Sequence, residues 1–145
     1  MDRGAAQPYS GPATIGLQVP ALPEQLMMLR ALAETVLHMA DFGIGEVNDI
    51  RLALDEVATI LIQDAIPGSI LDCDLTYDQS GLGVRLAAVA SSEAVLEDGS
   101  LSWHIVRTLT DGLSATQGSY SALVAGYPTV VEFRWRSRTS EGGQA

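Results

Sequence analysis

Cysteine is almost missing from this sequence: one residue, Cys73, stands in 145, so neither an internal disulfide nor a multi-cysteine zinc site can form. A reducing, cytoplasmic setting is the expectation. Positive charge is scarce as well, with eight basic residues against 18 acidic ones, a net charge of -10 and a pI near 4.3. Such a surface repels a phosphate backbone wherever salt leaves it unscreened, which disfavours direct nucleic-acid binding and points to a basic protein partner. No uninterrupted apolar run approaches the roughly 20 residues that span a bilayer, and the start MDRGAAQPYSGPA lacks the apolar stretch of a signal peptide, so no membrane association is expected. The two histidines, His38 and His104, fall on different predicted helices without companion ligands. No metal site is expected from them.

What is present is a 47% hydrophobic composition, enough to build one compact core. Residues 1–12 are rich in Gly, Pro and small side chains and residues 138–145 are polar, so both ends are expected to be disordered around a single domain over 13–137. Alternation of Ile15, Leu17 and Val19 with Thr14, Gly16 and Gln18 predicts a half-buried strand ended by Pro20. Pro23 and Glu24 suit a helix start, and a helix to about Ala40 follows with a predicted core stripe of Leu22, Leu26, Leu29, Ala33, Val36 and Ala40. If that stripe faces inward, Arg30 and Glu34 lie on another face, and at least one of Met27 and Met28 is exposed.

DFGIGE breaks this helix, and a second helix from about Glu46 to Ala65 buries Ile50, Leu54, Val57 and Leu61 before Pro67-Gly68 stops it. A hairpin follows, in which Leu71, Cys73, Leu75 and Tyr77 alternate with polar residues, DQSG turns, and residues 82–90 return. After an irregular stretch over 91–99, with Asp98-Gly99 as a turn, Ser100 or Ser102 caps a third helix whose apolar face is Leu101, Ile105, Val106 and Leu109. Two strands close the chain, the last with Val131, Phe133 and Trp135 inward. The order predicts an α+β two-layer sandwich, a mixed β-sheet with helices on one face.

RLALDEVATILI in the second helix resembles the N-box helix of the GHKL (Bergerat) ATPase superfamily, especially the RsbW/SpoIIAB-type anti-sigma factors. On that likeness Glu56 falls on the family's general base and Ile60 on its magnesium-binding asparagine. A carboxylate and a carboxamide four residues apart share one helix face, where one can orient a hydroxyl and the other ligate the ion. Isoleucine brings no oxygen. Where the family reads adenine with D-x-G-x-G, this chain has VASSEAV, leaving Ser91 and Ser92 in the place of the aspartate, and the phosphate-holding G-x-G is matched by Ser100-Leu101-Ser102. Residues 91–99 match the family's ATP lid but are much shorter than most.

The resemblance implies an anti-sigma factor that sequesters an alternative sigma factor and is released by an anti-anti-sigma partner of the STAS type. Met27, Arg30 and Glu34 of the first helix form the implied partner surface, with Arg30 at a position where the family carries an arginine; pairing of Arg30 with Glu34 is the structural alternative. A homodimer through the first strand and helix is implied too. The competing reading is an ATP- and magnesium-dependent serine kinase of the anti-anti-sigma protein, with Glu56 as relic catalytic base and Glu56, Ile60, Ser91, Ser92, Ser100 and Ser102 around the nucleotide. Erosion of the N-box and glycine boxes favours weak activity or none, and no cofactor beyond weak ATP and magnesium. Cys73 reads as a small buried hydrophobe and Trp103 as core.

Overall fold

The computed structural model describes residues 11–40, 42–96 and 100–137. The expected turn at Asp98-Gly99, the expected disordered tail at 138–145 and all but residues 11 and 12 of the expected disordered start at 1–12 lie outside them. The described elements run β1 (Ala13–Pro20), α1 (Leu26–Met39), α2 (Ile44–Gln63), β2 (Ile70–Asp78), β3 (Gly81–Ala90), α3 (Leu101–Leu109), β4 (Gly112–Gln117) and β5 (Tyr127–Arg136). Short 3-10 turns at Pro23–Gln25 and Glu93–Leu96 precede α1 and α3.

Five strands form one sheet in the order β1-β2-β3-β5-β4. All four pairings are antiparallel, so the sheet is not the mixed one expected. The reason lies in the connections. β2–β3 and β4–β5 are consecutive antiparallel pairs, the link through α1 and α2 brings β2 back antiparallel to β1, and the link through α3 delivers β4 parallel to β3 but one place out, with β5 inserted between them, so no parallel neighbours arise.

Alternation then sorts β1, β2, β3 and β5. Val19, Leu71, Cys73, Leu75, Leu82, Val84, Leu86, Val131, Phe133 and Trp135 are buried under the helices. The opposite face carries the Asp74, Arg85 and Glu132 rung and its neighbours in register. Two grooves of about 670 and 460 Å³ lie on that open face, and no residue singled out from the sequence for nucleotide or partner lines them.

α1 contributes Leu29, Ala33, Val36 and Leu37 to the core, and α2 contributes Ile50, Ala53, Leu54, Val57, Ala58, Leu61 and Ile62. The predicted stripe of α2 is therefore buried entire, while that of α1 is shifted at its ends. Leu22 is exposed because it precedes the helix in extended backbone, and Leu37 takes an inward position instead. Gly43 ends the break between α1 and α2 as the N-cap of α2, its N–H donating to Glu46 Oε1 at 3.1 Å. In α3 the inward residues are Trp103 and Val106, whereas Leu101 at the first turn is exposed. The Trp135 indole donates to Leu109 O at 2.7 Å, fastening β5 to the end of α3. Phe133 meets Trp135 edge to face. Burial pushes the Cys73 thiol up to about 12, with the neighbouring Asp74 charge adding to it, which makes it an inert core residue at neutral pH.

Candidate functional site

Two groups of polar side chains lie on the helical layer, and they are built differently. The first spans α1 and α2. Each helix carries an arginine followed four residues later by a carboxylate: Arg30 and Glu34 on α1, Arg51 and Asp55 on α2. Residues four apart share a helix face, and connection by a short turn runs the two helices in opposite senses, so each arginine meets the other helix's acid. Arg30 Nε donates to Asp55 Oδ1 at 3.0 Å and Oδ2 at 3.2 Å, and Arg51 pairs with Glu34. Arg30 therefore does not pair with Glu34 within α1, the alternative that sequence spacing offered.

These pairs are solvent-exposed and are each worth no more than about 1 kcal/mol of stability. What they fix is direction. Arg30 is held by Nε alone, which leaves its two Nη groups without a hydrogen bond among the described residues. Beside it Met27 and Met28 are both exposed, at 71% and 50%. An arginine of fixed aim flanked by adaptable apolar side chains is a composition suited to a protein contact.

The second group gathers the residues that the family resemblance assigns to a nucleotide. α2, which carries Glu56 and Ile60, packs against α3, which begins at Ser100, while β3 delivers Ser91 and Ser92 at its exit. Glu56 is half-buried and makes no hydrogen bond or ion pair among the described residues. Ile60 packs against the hydrophobic core. Ser100 is the N-cap of α3, its Oγ accepting from Trp103 N at 3.3 Å, and Ser102 sits inside the first turn rather than capping it.

Ser91 and Ser92 turn toward a residue that sequence reading missed. Asp64, at the C-cap of α2, accepts from Ser91 Oγ at 2.9 Å on Oδ1, and from Ser92 Oγ at 2.9 Å and Ser92 N at 3.2 Å on Oδ2. Ser91 N also donates to Asp64 O at 2.7 Å. The arrangement continues outward: Gln117 Nε2 donates to Ser92 O at 3.0 Å and to Thr129 Oγ1 at 3.1 Å. Thr129 in turn donates to Tyr127 O at 2.9 Å. No local sequence signal marks Asp64, since its partners lie 27 and 28 positions away. Among the described residues no group of three or more His, Cys, Asp and Glu side chains is arranged to hold a metal ion.

No family model matches the chain. Among curated proteins it is similar to the anti-sigma-F factor RsbW of two Mycobacterium tuberculosis strains, CDC 1551 and H37Rv, at 32% identity over 116 residues in each case. The match covers 80% of this chain and 69% of each relative.

Proposed function

The chain belongs to the RsbW family of anti-sigma factors, and from that premise we propose that it sequesters an alternative sigma factor of the sigma-F kind by direct contact, keeping it from RNA polymerase. Release comes when an anti-anti-sigma protein of the STAS type competes for it. The observation that carries this reading is the α1–α2 surface. Arg30 is aimed by Asp55 with its Nη groups to spare, and Met27 and Met28 are exposed beside it. The strongly acidic composition supports association with a basic protein surface and opposes a hold on DNA. Cytoplasm, where the polymerase works, is the proposed location, and no described helix is long and apolar enough to cross a membrane.

β1 is an edge strand, and its outer hydrogen-bonding groups can accept a second copy, which supports a homodimer through β1 and α1. The serine-kinase reading is the weaker one. It needs an oxygen ligand for magnesium one turn after Glu56, where Ile60 packs into the core.

The test is a pull-down of a purified sigma-F-type factor from the same cell by the intact chain and by Arg30→Glu. The reading expects retention by the native protein and at least about a tenfold loss in the variant, as for a charge reversed at an interface anchor. Equal retention by both removes Arg30 from the surface. No retention by either removes the sigma factor as partner.

A further inference from the structure

Family membership implies ATP and magnesium at the junction of α2, the exit of β3 and the start of α3, and the residues there do not fit that group. At the metal end, Ile60 offers no donor atom and is committed to the core. At the phosphate end, the N-cap and first residues of α3, Ser100-Leu101-Ser102, hold no glycine, and one of the first-turn amides, that of Trp103, is already taken by Ser100 Oγ. At the base end, both serine hydroxyls give their single proton to Asp64 and so have no donor left for a base's ring nitrogens.

The base end is also closed by backbone. Ile66 N donates to Val89 O at 3.0 Å, and Ala65 and Ala90 form a bridge, so the chain leaving α2 is zipped onto the exit of β3. Gly126 presses from the other side, where an added Cβ would lie 2.7 Å from Ala90 O and from Val89 Cγ1. The carboxylate itself sits at the C-terminus of α2, the negative end of the helix dipole, a position where a negative charge is disfavoured unless donors hold it. Three donors do.

We infer that this end of the molecule is an internal clasp centred on Asp64 in place of a nucleotide site, so that the protein's stability and its exchange of partners are independent of adenine nucleotide. The clasp ties α2, the β3 exit, β4 and β5 through Asp64, Ser92, Gln117 and Thr129, and it holds the start of the segment that leads to α3. Only the partner-exchange clause rests on the sigma-factor reading.

The experiment uses the intact chain. Thermal unfolding is followed with ATP, ADP and adenosine, each with magnesium and up to millimolar concentration, and amide exchange is measured at Ser91 and Ser92 in the native protein and in Asp64→Ala. The inference expects no concentration-dependent change of Tm with any of the three. In Asp64→Ala it expects a Tm lower by about 3–6 °C, faster exchange at Ser92, whose amide loses its carboxylate acceptor, and still no nucleotide response. If Asp64→Ala does not fold, the double variant Ser91→Ala with Ser92→Ala removes the same hydroxyl donors without altering the helix end, and the same lowering of Tm is expected.

A saturable rise of Tm with nucleotide in the native protein overturns the inference. So does unchanged exchange at Ser92 on loss of the Asp64 carboxylate, or an unchanged Tm in the double variant. Failure to retain a sigma factor would sink the proposed function and leave these outcomes intact, so the two failures are told apart.

Discussion

α2 has two ends with opposite uses of polar residues. Toward its N-terminal half, Arg51 and Asp55 reach across to Glu34 and Arg30 of α1 and stay in solvent. At its C-terminus, Asp64 turns toward the protein and collects the hydroxyls of Ser91 and Ser92. Exposed ion pairs contribute little to stability but leave charge and hydrogen-bonding groups for a partner, whereas several donors gathered on one half-buried carboxylate stabilise the fold and have little left to offer. A polar cluster on a helix is thus read by where its hydrogen bonds go, not by its composition.

The largest expected effect on the fold comes from forcing the inward end back to nucleotide chemistry. Ile60→Asn should destabilise by about 1–3 kcal/mol, since a half-buried apolar side chain is lost and an amide is placed against the core. Denaturant unfolding measures this, and a neutral result would mean that the position tolerates the family's asparagine. Ser100→Ala, which removes the α3 cap, should cost about 1 kcal/mol by the same method. At the outward end the order reverses. Arg51→Ala should change stability by less than about 1 kcal/mol, yet it frees Glu34 to compete with Asp55 for Arg30 and should weaken sigma-factor retention by a few-fold. A loss of stability larger than that of Ser100→Ala would erase the distinction between the two ends. Smallest of all is the response of Cys73 to thiol reagents: with its thiol pushed up to about 12 by burial, modification at neutral pH should be negligible until the protein unfolds. Fast labelling of the folded chain would contradict the packing described around β2.

The outward end was the more legible in sequence. Two arginine-to-acid steps of four residues on successive helices are enough to derive the crossed pairs once the helices are taken as antiparallel, although sequence reading stopped at the pair within α1. Periodicity also gave the stripe of α2 and the inward residues of β5, because a long run of one period leaves little choice. It misplaced Leu22 and Leu101, which stand at element ends where the helical face is not yet defined. The inward end was hidden for a different reason. Ser91 and Ser92 were visible as replacements, but their partner Asp64 is brought to them only by the fold. Strand pairing was hidden in the same way, since the antiparallel sheet follows from the insertion of β5 between β3 and β4 and not from any strand's own pattern.

The most direct test of the account is competition between the intact chain and core RNA polymerase for a sigma-F-type factor, followed by size-exclusion chromatography with and without ATP and magnesium. The account predicts that the chain withdraws the sigma factor from the polymerase to the same extent in both conditions. A sigma factor left on the polymerase in both, or withdrawn only when nucleotide is present, would contradict it.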